Sequence, residues 1–133
     1  MNNGFKLEIV NPEKSFLSKE NVSEVVVPAY EGEMGILKDH ISIISFLKPG
    51  LVKVFETDSK EENYYVEDGI IEFKNNCLSI LTSNIFDIKK IDKNRVRDIL
   101  AKAEKDVENE DISDQTKYLL DQKIEVLKSL NLN

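Results

Sequence analysis

An antiparallel β-sandwich or barrel followed by a two-helix hairpin is the fold class this chain predicts, and three observations predict it. All five glycines and all three prolines lie at or before residue 69. Short apolar runs bounded by turn residues fill the chain as far as Leu81, and a 3.6-residue stripe begins at Val96. Charge divides in the same way: residues 1–88 carry 8 basic and 15 acidic side chains, whereas residues 89–133 carry 10 of each. Two units follow, 1–88 and 89–133, joined near FDIKKID, residues 86–92.

The first strand is FKLEIV, with Phe5, Leu7 and Ile9 on one face, as a half-buried strand requires. EVVVP, ISIISFL, LVKVF, NYYV, GIIEF and CLSILTS follow at intervals of about 8–12 residues. Turn chemistry separates them: NPEK, then PAYEGEMGILKDH, KPG, EDG and KNN. Continuous runs such as Val25-Val26-Val27 are apolar on both sides, so two sheets face each other. The first helix starts at Asp92, whose carboxylate can cap the free N–H groups of the first turn. Its stripe is Val96, Ile99, Leu100, Ala103 and Val107. Residues Asn109 to Ser113 interrupt it, and Leu120, Ile124 and Leu127 resume it, flanked by Leu119 and Leu130. So short a break makes the two helices antiparallel. The hairpin is too small to pay its own conformational entropy, so it needs a surface to dock on. Two such surfaces would make it a switch.

Chemistry is scarce. The net charge of −7 excludes a nucleic-acid partner and adsorption to anionic lipid. No apolar run approaches the roughly 20 residues of a membrane span. MNNGFKLEIV lacks a signal peptide's apolar core, so the expected compartment is the cytosol or a surface facing it. Cys77 is alone, and its apolar run CLSIL reads as a buried, inert thiol. His40 is the sole histidine and has no nucleophile in a recognisable pattern, so it reads as structural. His40, Asp39, Glu31 and Glu33 match no metal-ligand spacing. GEMG lacks the lysine and following helix of a phosphate loop. What remains is a loop that projects Tyr30, Glu31, Gly32, Glu33 and Met34 as a contact surface.

VVVPAYEGEMGILKDHISIISFLKPGLVKV closely resembles the signature region of the epsilon subunits of bacterial-type ATP synthases, equivalent to the mitochondrial delta subunit. The matching residues are Glu31-Gly32-Glu33-Met34-Gly35-Ile36-Leu37, His40 and Leu47-Lys48-Pro49-Gly50. YYVEDGIIEFKNNCLSILTSN resembles the family's later strands, and the two-helix tail has the family's length. The resemblance implies a sandwich of about ten strands and a non-catalytic rotor subunit of the central stalk. It implies binding to the gamma subunit and to the membrane ring of c subunits, with Tyr30 to Met34 as the ring contact. It also implies a mobile hairpin that reaches transiently into the alpha/beta head and inhibits ATP hydrolysis. The location implied is the cytoplasmic face of a bacterial inner membrane, held peripherally without insertion into the bilayer.

In some family members ATP binds the hairpin through I/L-D-x-x-R-A. Here the match is Ile91, Asp92 and Arg95, with Val96 in place of the alanine. The further arginines that hold phosphate there align with Lys102 and Lys123, which lack arginine's bidentate fork. No cofactor is expected beyond weak ATP binding at these residues. The competing functional reading is a free-standing ATP sensor in which a helical clasp closes on the sandwich.

Overall fold

The computed structural model describes residues 4–12, 15–58 and 60–130. Among them the strands are β1 (Phe5–Val10), β2 (Ser15–Ala29), β3 (Gly32–Leu37), β4 (Ile43–Leu47), β5 (Gly50–Glu56), β6 (Glu61–Val66), β7 (Gly69–Lys74), β8 (Cys77–Leu81) and β9 (Ile85–Asp87). The helices are α1 (Lys93–Val107) and α2 (Asp114–Ser129). The hydrogen-bonded order is β1-β8-β7-β4-β2-β5-β6-β9, with β3 paired to β2 and β1 paired to β2 as well. Residues 13 and 14 of the expected NPEK turn, and residues 131–133 of the expected hairpin unit, lie outside the described residues.

Three expectations are corrected. First, one pairing is parallel in a sandwich whose nine described strands agree with the expected number: β1 runs alongside β8 from Lys6↔Cys77 to Val10↔Leu81. β1 has two edges whose backbone groups need partners, and β2 supplies an antiparallel partner for only one of them. Second, β2 begins nine residues before the expected EVVVP strand and is 15 residues long. It pairs with β1 early and with β3, β5 and β4 later, and a register shift between Val22 and Glu24 marks its bend. Its first half is studded with Lys19 and Glu20, which hid it. Third, GEMGIL is a strand: β3 folds back on β2 with Val25↔Ile36 and Val27↔Met34 in register.

The sandwich core is made of inward-facing residues such as Phe5, Leu7, Ile9, Val25, Ile36, Val54, Phe73 and Leu78, all essentially inaccessible. Among the described residues its buried members end at Ile85, so neither helix contributes to it. β6 shows why. Tyr64, Tyr65 and Val66 are all buried, although alternation puts Tyr65 on the opposite face. Tyr65 belongs to an outward row, Leu51–Tyr65–Phe86, that crosses β5, β6 and β9 in register. Its ring is stacked with that of Phe86 at 6.1 Å between centroids. The hairpin covers this row with Val96, Ile99 and Leu100 of α1 and with Val126, Leu127 and the adjoining Leu130 from α2.

Both helix starts are capped by side chains. The Asp92 carboxylate accepts from the Asn94 amide at 2.8 Å, and the Ser113 hydroxyl accepts from the Thr116 amide at 3.1 Å. The cap and the apolar stripe together fix which face of α1 meets the sheet.

Candidate functional site

The tip of the β2–β3 hairpin is a tight turn on Tyr30 and Glu31, because Ala29 already pairs with Gly32. Gly32 has φ of 133°, a conformation that favours glycine. The Tyr30 amide donates to the Phe46 carbonyl at 3.2 Å, and the two rings meet edge-on at 6.5 Å. Glu31 and Glu33 are exposed. Met34 does not project as expected. Strand alternation from Gly32 turns it inward, where it packs half-buried against the sandwich core. Four of the five expected contact residues therefore share the tip, and the fifth supports it from beneath.

Beside the tip lies a surface the sequence reading missed. The outward residues Phe46, Ile70, Leu81 and Val10 are aligned across β4, β7, β8 and β1 by the pairs Phe46↔Ile70, Ile70↔Leu81 and Val10↔Leu81. Phe46 is 58 % exposed, Leu81 52 % and Ile70 41 %, and Ile44 in the next row is 69 % exposed. Isolated exposed apolar residues are ordinary, but a contiguous band of them marks an interaction surface. Two shallow clefts open along it, one of about 550 Å³ between Tyr30, Phe46, Ile70 and Leu81 and one of about 390 Å³ beside Val10 and Ile44. The signal was present in ISIISFL, which is apolar on both faces of one strand.

The polar residues proposed for ATP each already have a protein partner. Ile91 is half-buried at the edge of the hairpin seam. The Asp92 carboxylate is taken up by its helix cap. The Arg95 guanidinium lies over the Phe86 ring, 4.7 Å from its centroid. Lys102 pairs with Asp106 along α1 at 3.2 Å, and Lys123 pairs with Glu67 of the sandwich at 3.0 Å. A cleft of about 540 Å³ does open near the base of α1, between Phe16, Tyr64, Phe86, Lys89, Lys90 and Ile91. Of the three expected residues only Ile91 lines it.

The His40 ring sits edge-on against Phe73 at 5.9 Å, and its Nδ1–H donates to the Ile41 carbonyl at 2.8 Å. Both are structural contacts. Its neighbour Asp39 has φ of 66° and is held by a two-way exchange with Asn76, at 2.7 and 2.9 Å. Cys77 is half-buried rather than buried, because the register with Lys6 puts it on the outer face. Among the described residues, no group of three His, Cys, Asp or Glu side chains is arranged to hold a metal.

Residues 4–88 match the sequence model of the family described as ATP synthase, Delta/Epsilon chain, beta-sandwich domain. The chain is 70% identical over 131 residues to the ATP synthase epsilon chain of Pelagibacter ubique, covering 98% of this chain and 100% of that one. It is 36% identical over 111 residues to the ATP synthase epsilon chain of Dichelobacter nodosus, covering 84% of this chain and 77% of that one. Its fold matches a chain in the cryo-EM structure of the Euglena gracilis mitochondrial ATP synthase OSCP/F1/c-ring, with a TM-score of 0.76 at 20% identity. That match covers 96% of this chain and 79% of the other. With the family's sandwich, its two-helix tail and a near-full-length relative in agreement, the chain belongs to the ATP synthase epsilon chains.

Proposed function

We propose that the chain is a non-catalytic subunit of the central stalk of a rotary ATP synthase. The sandwich grips the gamma subunit and rests on the ring of c subunits. The hairpin leaves its seat to reach the alpha/beta head and restrain ATP hydrolysis. One observation carries this reading. The sandwich has two outward apolar rows, and the hairpin covers only Leu51–Tyr65–Phe86. The other, Phe46–Ile70–Leu81, is bare and meets the acidic tip at Tyr30. A bare apolar strip supplies the affinity for gamma, and the carboxylates of Glu31 and Glu33 orient the end of the sandwich on a basic ring surface. Among the described residues no helix is long and apolar enough to cross a membrane. On this reading attachment is peripheral, through the ring, at the cytoplasmic face of a bacterial inner membrane.

The test is co-elution with the cognate gamma subunit. Wild-type chain and gamma are expected to elute together at micromolar concentration. Phe46→Ser with Ile70→Ser should weaken the complex at least about tenfold, with an unchanged melting temperature. Separate elution of the wild-type pair would sink the reading.

ATP binding at the base of α1 is weak in this chain. Arg95 must leave Phe86 and Lys123 must leave Glu67 before either can meet a phosphate. Titration with ATP to millimolar concentration, followed by backbone amide NMR, is expected to show at most small shifts around Ile91 to Arg95. A saturable micromolar response would contradict this and favour the ATP-sensor reading.

A further inference from the structure

The face that carries the bare strip is ordered row by row. Its first row is the strip itself, Phe46–Ile70–Leu81–Val10. Two residues further from the tip along each strand, the pairs Ile44↔Glu72, Glu72↔Ser79 and Glu8↔Ser79 set a second row. A third holds Lys74, Cys77 and Lys6. Strand alternation turns all three rows outward, because Leu7, Ile9, Ile71, Phe73, Leu78 and Ile80 between them are buried.

Two properties of this face suit a second copy of it. The first is charge. Lys6 pairs with Glu8 at 2.8 Å and Lys74 with Glu72 at 3.6 Å, so the face is neutral on a chain of net charge −7. Two such acidic chains repel one another elsewhere and least here. The second is relief. Phe46 and Ile44 stand up along the β4 edge, 58% and 69% exposed, whereas Val10 at the β1 edge is short, half-buried and borders the cleft of about 390 Å³. A two-fold axis parallel to the strands, between β7 and β8, lays the high edge of each copy over the low edge of the other. Phe46 then meets Val10 of the second copy, Ile70 meets its Leu81, and Glu72 meets its Ser79. Rows lie on like rows, and no two like charges stand directly opposite. The face spans three strand spacings, about 14 Å, which falls short of the roughly 800 Å² per partner of a standard interface.

We propose that two copies of the chain pair through this face, two-fold and reversibly, with a Kd on the order of 10–100 µM. The pairing goes beyond the stalk reading and uses the face that reading gives to gamma. Gamma and a second copy therefore compete, and the weaker partner covers the apolar strip until the stronger arrives.

The experiment begins with sedimentation velocity on the full chain from about 1 µM to about 1 mM. A concentration-dependent monomer–dimer equilibrium is expected, and Phe46→Ser with Ile70→Ser should raise its Kd at least about tenfold. Cross-linking in a Cys77→Ser chain reads the axis. Glu8 and Ile44 share a row at opposite edges, about 14 Å apart within one chain, and the axis brings Glu8 of each copy over Ile44 of the other. Glu8→Cys with Ile44→Cys should therefore form covalent dimers with a bismaleimide too short to span that gap, and either substitution alone should not. Stoichiometric gamma should abolish the cross-link. Monomer alone at millimolar concentration, a dimer unmoved by Phe46→Ser with Ile70→Ser, single variants that cross-link as well as the double, or cross-links that persist with gamma bound each overturns the proposal. Only the last arm contains gamma, so the pairing can fail while the stalk reading stands. Gamma that does not bind, beside a dimer that forms as described, sinks that reading and leaves the pairing in place.

Discussion

Glu62 shows how much one surface strand carries at the residue scale. It accepts a hydrogen bond from the Tyr64 hydroxyl and lies 3.8 Å from Lys19, which also pairs with Glu56 at 3.2 Å. The Tyr64 hydrogen bond first, and the Lys19 charge after it, hold the Glu62 carboxyl below its ordinary pKa. Burial, followed by the same hydrogen bond, pushes the Tyr64 phenol up, so it stays a donor throughout the neutral range. A carboxyl with a lowered folded pKa contributes stability that is complete above its unfolded value of about 4.3. That contribution fades as the pH falls through the folded value. Glu62→Gln should therefore lower the melting temperature by about 2–4 °C near pH 7 and by less at about pH 4. Thermal melts at the two pH values check this. Single residues were legible where their role is local. Asp92 as a cap needs only its own backbone, and His40 as structural follows from the lack of a chemical partner. Met34 and Cys77 were misread because their exposure depends on strand register, which the preceding turn sets.

At the scale of elements, both helices were legible, whereas β3, β9 and the first half of β2 were not. The first helix announces itself twice, by the Asp92 cap and by its stripe, and the second by its stripe, the Ser113 cap emerging only in the structure. β9 has only three residues and sits in the junction that the charge division marks. The first half of β2 carries charges on an open face, so its alternation is weak. The hairpin's seat was invisible too, because Leu51, Tyr65 and Phe86 lie in three runs that only sheet register aligns. Leu127 is the α2 residue buried in that seat. Leu127→Ala should remove about 2 kcal/mol or more of packing from it. The expected result is faster hydrogen exchange throughout residues 93–130, with exchange in β7 and β8 unchanged. Equal acceleration in the strands would mean that the hairpin and sandwich open as one unit.

The whole molecule divides its burial into two cores, and this sets what a truncation can do. Deleting residues 89–133 removes no side chain from the sandwich core among the described residues. The shortened chain is expected to melt cooperatively and still to bind gamma, and in an assembled complex to raise ATP hydrolysis. A broad, non-cooperative melt would contradict the division. Sandwich and hairpin as architectures were readable from punctuation and period, since both are local properties of the chain. Which outward apolar row the helices take and which they leave bare was not readable. Both rows look alike along the sequence, and only the three-dimensional path of the chain distinguishes them. One consequence concerns handling. Whenever the helices lift, Tyr65 and its neighbours join Phe46 and Ile70 in solvent, and the molecule becomes sticky on two opposite sides. Such a double-faced adhesive polymerises with its own kind unless a partner arrives first, so release outside the assembled motor invites aggregation.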